Sequence, residues 1–196
     1  VLLPRSSFFV ARGMLDEFWR ITRKALRLEL LLAAPLTLYF ALYAAPTVLL
    51  LSGPAYAASV PVMRIIMPTV LLISLSNILG IQILVPLGRE RTVLYSELAG
   101  TAVNLIVNAL LIPAYRSAGA AVGTAAAELV VLAVQYAALR RELSDELRRF
   151  AWWKLCVGLL AAAAASLWIT ALGWGAFATL AASACAFFGV YGLCLL

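Results

Sequence analysis

The sequence contains no histidine and only three cysteines, and both shortages exclude classes of site. Without histidine, the chain lacks the commonest general base and the commonest metal ligand. The cysteines, Cys156, Cys185 and Cys194, lie inside apolar stretches and have no paired spacing, so neither a disulfide framework nor a zinc site is indicated. We therefore predict that the protein holds no metal and no other cofactor.

Charge is scarce as well. Of the 196 residues, 12% are charged and 65% are hydrophobic, whereas a soluble domain has roughly 25% charged residues. The apolar residues form blocks rather than a stripe of helical period, and helices that are apolar nearly all round face lipid. The sequence therefore predicts an all-α, polytopic membrane protein with no water-soluble domain.

Six apolar stretches have the length of about 20 residues that a helix needs to cross the bilayer core. They are too long for strands and lack period-two alternation. Pro35 and Pro46 are expected to kink the first span, and Pro113 to end the third. The predicted spans are residues 30–51, 65–87, 92–112, 118–139, 151–172 and 175–196.

Two polar segments adjoin these spans. Residues 12–27 are predicted to form an amphipathic interfacial helix that leads into the membrane, and residues 140–150 a short polar helix between the fourth and fifth spans. The chain is thereby divided into a cytoplasmic lead-in, four transmembrane helices, a cytoplasmic linker and two additional transmembrane helices. These four parts are residues 1–29, 30–140, 141–150 and 151–196.

The basic residues predict the orientation. On this topology thirteen of the fifteen Lys and Arg residues lie on one side of the membrane, and only Arg64 and Arg116 lie on the other. The positive-inside rule then places both ends of the chain in the cytoplasm. The net charge of +6 suits anionic lipid head groups. Because the charges are spread over separate short loops, no nucleic-acid partner is expected.

Polar side chains inside the spans carry the candidate site, because such residues are costly in hydrocarbon and by default suggest function. Those of the third span share one helical face, as do those of the fourth. Two facing stripes would line a hydrated cavity; the alternative is hydrogen bonding across a packed helix interface. The residues are Glu97, Thr101, Asn104 and Asn108 in the third span, Thr124, Glu128 and Gln135 in the fourth, and Ser74, Asn77 and Gln82 in the second.

Three further features have a functional and a structural interpretation. The carboxyl of Glu128, near the middle of its span, must be protonated, paired with a cation or exposed to a hydrated cavity. Arg64, at the non-cytoplasmic mouth of the second span, either snorkels to the interface or contacts an anionic substrate. Gly119 and Gly123 form a GxxxG pattern, which favours close helix packing.

The run from Asn104 to Glu128 resembles the signature of bacterial oligosaccharide flippases, which belong to the multidrug/oligosaccharidyl-lipid/polysaccharide exporter superfamily. The shared pattern is N-x-x-x-N, an Ile-Pro stop, a small-residue turn, and G-A-A-x-x-T with a Glu four residues on. Residues 77–89 and the opening Leu-Pro-Arg-Ser followed by a basic amphipathic segment are also similar. The likeness covers residues 1–150. The chain departs from it at Tyr115-Arg116-Ser117, in a turn where the family usually has Gly, which should change only the loop conformation.

The resemblance implies a transporter of the bacterial cytoplasmic membrane and not an enzyme. Such proteins move undecaprenyl-diphosphate-linked oligosaccharide to the outer leaflet by alternating access, for cell-surface polysaccharide biosynthesis. The chain is expected to be a fragment, most of the second lobe plus two extra helices, whose partner is the missing N-terminal lobe. The candidate cavity residues are Asn77, Gln82, Asn104, Asn108, Glu128 and Arg64, with Glu128 also a candidate for proton or cation coupling.

Other functions stay open. A multidrug or cation antiporter of the same superfamily, or a lipid II flippase, would use the same lobes for another substrate. A glycan polymerase or ligase is disfavoured, because histidine is absent and every predicted outer loop is short. The intramembrane Glu and Asn residues weigh modestly against a purely structural subunit.

Overall fold

The computed structural model describes residues 3–195, except for the side chains of 145–149. The described chain is helical throughout and has no strand. Short 3-10 turns lie at Pro54–Ser59 and Trp168–Leu172, and α5 continues into a wider π-helical segment, Ile78–Leu84. The α-helices are α1 (Leu3–Ala11), α2 (Leu15–Leu42), α3 (Ala44–Ser52), α4 (Val60–Ile66), α5 (Pro68–Asn77), α6 (Glu90–Tyr115), α7 (Ser117–Arg149), α8 (Trp152–Leu167) and α9 (Ala176–Leu195).

Five helical stretches are long and apolar enough to cross a membrane, and a sixth is counted if a broken pair of helices acts as one span. The prediction of an all-α, multi-pass membrane protein is therefore confirmed. The five stretches are Leu15–Leu42, Glu90–Tyr115, Ser117–Ser144, Trp152–Leu172 and Ala176–Leu195, and the broken pair is Pro54–Ile66 with Pro68–Leu84.

The helix boundaries differ from those predicted near several prolines and at the charged segments. The expected interfacial helix and the start of the first span form one continuous helix, α2, which ends at Leu42. Pro46 explains this end, because it has no N–H to donate to the carbonyl of Leu42. Pro35 is accommodated inside α2, and α6 continues past Pro113 to Tyr115. The polar segment 140–149 continues α7 without a break.

The helices cluster into two compact units, which are described separately. The first comprises the chain up to Ala33 together with Thr69–Phe150. Its core is apolar and is built from α2, the π-helical segment and α7. The buried side chains of this core are Phe18, Leu26, Ile78, Leu79, Ile83, Leu84, Leu139 and Leu143.

The second unit comprises Ala34–Pro68 and the chain from Ala151 onward. Tyr39 anchors α2 to α9 here: its hydroxyl donates to the carbonyl of Leu180 at 2.8 Å and lies 3.1 Å from the hydroxyl of Ser183. Its ring also contacts that of Phe187, with centroids 5.5 Å apart. Gly158 of α8 faces Tyr191 of α9, whose ring lies 3.4 Å from where a Cβ would be, an ordinary van der Waals distance.

Candidate functional site

Helices α6 and α7 of the first unit form an antiparallel hairpin. Their contacts show this, since residues later in α7 lie against residues earlier in α6. Gly119 lies against Leu111, Gly123 against Asn108, and Gly100 against Val131. A Cβ on Gly119 would lie 2.6 Å from the backbone carbonyl of Leu111, so glycine is what permits this approach. The close packing expected from the GxxxG pattern is observed.

The two polar stripes of the hairpin face one another across a groove of about 210 Å³, here named the α6–α7 groove. The Thr101 hydroxyl donates to its own helix, to the carbonyl of Glu97 at 2.8 Å, and Thr124 donates in the same way to Ala120 at 3.1 Å. Their oxygens are thereby left as acceptors. The polar residues that line the groove are Glu97, Thr101, Asn104, Thr124 and Glu128.

The chemistry of the α6–α7 groove is that of an oxygen-rich surface. Neither Glu97 nor Glu128 has an ion pair among the residues that the structure describes, and the groove lining includes no Lys or Arg. Such a surface can accept hydrogen bonds from hydroxyl groups or attract a cation or a proton. No group of three metal-ligand side chains occurs in the described part of the chain.

Asn108, predicted to share this cavity, is placed at the helix interface instead. Its amide nitrogen donates to Asn104 Oδ1 at 2.8 Å. Its Oδ1 is buried beside Gly123 and has no partner within the described structure. The contact with Asn104 keeps the Asn104 amide in position at the edge of the groove.

Asn77 and Gln82 line a different groove of about 510 Å³ in the same unit, here named the α2–α5 groove. It lies between the first part of α2 and α5 with its π-helical extension. The charged groups of this groove come from α2. Lys24 lies in the predicted interfacial helix, residues 12–27, and Glu29 is the last residue of the predicted cytoplasmic lead-in. The lining residues are Ile21, Lys24, Ala25, Leu28, Glu29, Ser74, Asn77, Ile78 and Gln82.

Gln135, the last member of the α7 stripe, is structural. Only 1% of its surface is exposed, and its amide nitrogen donates to the Ser96 hydroxyl at 3.1 Å. That amide also abuts Gly80, where a Cβ would lie 3.1 Å from Gln135 Nε2. Gln135 therefore connects α6, α7 and the π-helical segment at one point.

The remaining candidate, Arg64, is exposed in the last turn of α4 and lines neither groove. It belongs to the second unit. That unit has a groove of its own, about 360 Å³ in volume, whose lining is almost wholly apolar and includes Phe40, Leu50, Leu51, Phe177 and Leu180.

No protein-family model, curated protein or solved structure matches this chain. The class of protein defined by its helices is a multi-pass α-helical membrane protein. The family suggested by the run from Asn104 to Glu128 stays a prediction.

Proposed function

We propose that this chain is part of a flippase that moves undecaprenyl-diphosphate-linked oligosaccharide across the bacterial cytoplasmic membrane. The observation that carries the proposal is the α6–α7 groove. It is a polar surface lined by residues of two helices that are long enough to span a bilayer. The similarity of residues 104–128 to the flippase signature supports the same function from the sequence.

A flippase must carry a sugar diphosphate through about 30 Å of hydrocarbon while the lipid tail stays in it. A groove rich in amide, hydroxyl and carboxyl oxygens replaces water around the sugar hydroxyls during that passage. At about 210 Å³ the groove is small for an oligosaccharide, so it acts as one wall of a larger cavity. The opposite wall belongs to the N-terminal lobe, and rocking of the lobes alternates access.

Glu128 is the proposed proton or cation carrier of this cavity. It faces the groove together with Glu97, and neither carboxyl has an ion pair in the described part of the chain. A bare carboxylate is costly at this depth in the membrane. Proton binding to Glu128 would therefore depend on whether the cavity is open to the cytoplasm or to the outside. The same carboxyl accepts hydrogen bonds from the substrate when it is ionised.

The test of this function is Glu128→Gln in the full-length transporter, introduced into a strain that lacks its flippase. We expect surface glycan to fall at least several-fold while protein level is unchanged, since glutamine cannot take up the proton. The matched control is Glu90→Gln, in the first turn of the same hairpin and outside the groove, which should leave glycan unaffected. Undiminished surface glycan in the Glu128→Gln strain would contradict the proposed role of Glu128. Failure of the unmodified transporter to restore glycan in the same strain background would contradict the flippase itself.

A multidrug or cation antiporter is the second candidate, because the α6–α7 groove has two carboxyl groups and no cationic side chain. Such a protein would confer resistance to organic cations and leave surface glycan unaffected, so the same strain distinguishes the two. A lipid II flippase would differ only in substrate.

A further inference from the structure

The α2–α5 groove contains polar groups that the protein itself leaves without partners. The Lys24 ammonium and the Glu29 carboxyl form no ion pair among the described residues. Gln82 Oε1 is buried and accepts no hydrogen bond from any residue that the structure describes. A ligand in this groove therefore meets one exposed cation, Lys24, and two groups that accept hydrogen bonds, the Glu29 carboxyl and Gln82 Oε1.

The position of Gln82 depends on the π-helical segment. Pro86 has no N–H to bond to the Gln82 carbonyl, and its ring crowds that carbonyl. The turn before it widens accordingly: Val85 N–H donates to the carbonyl of Gly80 at 3.0 Å, five residues back. Ser74 and Asn77 of α5 share a face with Ile78, the first residue of the π-helical segment. The wider turn brings Gln82 onto that face while Ile81 is exposed outside the groove. Segments of this kind recur at functional sites.

The opposite wall is one face of α2, with Ile21, Lys24, Ala25 and Leu28 at helical spacing. Its apolar members give the groove a hydrocarbon surface beside the charged groups. Lys24 also belongs to the basic stretch of the helix, residues 20–27, which such helices place at the level of lipid phosphates. The ligand indicated is an amphiphile whose phosphate lies between a hydrocarbon chain and a donor-bearing head.

We infer that the α2–α5 groove binds the phosphate end of a hydroxyl-bearing lipid. Lys24 donates to the phosphate, while Glu29 and Gln82 accept hydrogen bonds from the hydroxyls and Asn77 completes the polar wall. The inference rests on the proposed function in one respect, that this lipid is the transported glycolipid. In that glycolipid the first sugar follows the phosphate. Binding of the lipid itself does not depend on transport.

The experiment measures lipid binding to the full chain in neutral detergent by native mass spectrometry. The probe is phosphatidylglycerol, which has a phosphate and two hydroxyls. Phosphatidylcholine has the phosphate without the donors, and diacylglycerol lacks the phosphate. We expect affinity to fall in that order. Lys24→Gln should weaken phosphatidylglycerol binding about tenfold, the loss expected for one charge-assisted hydrogen bond.

Lys154→Gln is the matched control, because Lys154 is the only other lysine of the chain and lies outside the groove. It should bind phosphatidylglycerol like the unmodified chain. Gln82→Leu should reduce the preference for phosphatidylglycerol over phosphatidylcholine. Equal binding by the Lys24→Gln and unmodified chains would overturn the site, as would equal binding of the two phospholipids. If millimolar inorganic phosphate displaced phosphatidylglycerol, the ligand of the site would be a free anion and the lipid proposal would be overturned.

The binding assay separates this inference from the proposed function. Loss of lipid binding in Lys24→Gln, combined with failure of the unmodified transporter to restore glycan in the strain that lacks its flippase, would retain the site and reject the flippase. The reverse pair of results would reject the site alone.

Discussion

Arg116 occupies a backbone conformation that favours glycine. It follows the last residue of α6 and has φ 52° and ψ −125°. Among the described residues, no other residue except glycine has a positive φ. The position lies within residues 115–117, the turn predicted to depart from the flippase pattern. Glycine adopts this backbone conformation without strain, whereas a residue with a side chain does not.

We predict that Arg116→Gly stabilises the protein. Relief of strain at such a residue is worth roughly 1–3 kcal/mol, and the added freedom of the unfolded chain offsets part of it, so a net gain of about 1 kcal/mol is expected. Thermal unfolding in detergent measures the effect. Arg140→Gly is the control, because Arg140 lies inside α7 and glycine there should cost about 1 kcal/mol. A lower melting temperature for Arg116→Gly would contradict the strain.

Lys24 and Glu128 illustrate the two kinds of site residue. Glu128 stands out in the sequence because a carboxyl within an apolar span is costly. Lys24 does not stand out, because it is one of several cations in a basic segment and nothing local indicates that α5 lies opposite it. The structure singles it out by placing it in the α2–α5 groove.

At the scale of elements, the α6–α7 hairpin depends on glycines at the points of closest approach. Gly119 and Gly189 both lie inside helices, yet their surroundings differ. A Cβ on Gly119 would meet the backbone of Leu111 at 2.6 Å, whereas one on Gly189 would meet nothing within 4 Å. Backbone cannot move aside as a flexible side chain can, so the two sites should respond oppositely to the same substitution.

We therefore predict that Gly119→Ala destabilises the chain by roughly 1–3 kcal/mol, the usual cost of overpacking. Gly189→Ala should stabilise it by up to about 1 kcal/mol, because alanine has the higher helix propensity. Melting temperatures of the two variants in the same detergent test this. If Gly119→Ala melts at or above the temperature of the unmodified chain, the hairpin is not packed as described.

Proline has different consequences in different helices. Pro46 coincides with the end of α2 at Leu42, and Pro86 with the π-helical segment, while α2 and α6 accommodate Pro35 and Pro113. The sequence identifies where a backbone donor is missing. Whether the helix stops, widens or continues depends on what packs around it, and this is why the predicted first span, residues 30–51, differs from Leu15–Leu42.

For the whole molecule, charge predicts an orientation in the membrane. On the topology predicted from the sequence, thirteen of the fifteen cationic residues lie on one side, so the turn near Arg89 is predicted to be cytoplasmic and the turn at Arg116 external. Reporter fusions after each turn test this prediction. A fluorescent protein fused after Arg91 should fluoresce, and alkaline phosphatase fused after Arg116 should be active. The opposite pattern would invert the topology and the proposed direction of access.

The sequence by itself determined that this is an all-helical, multi-pass membrane protein, and it identified the polar stripes of α6 and α7. Both conclusions are local, because the length of an apolar run and the helical period are properties of a single segment. The tertiary structure decided which faces meet. It brought Glu97 and Glu128 into one groove, buried Gln135 and placed Asn77 and Gln82 opposite Lys24. Contacts between residues distant in the chain depend on the packing of whole helices, and no pattern within a single segment contains that information.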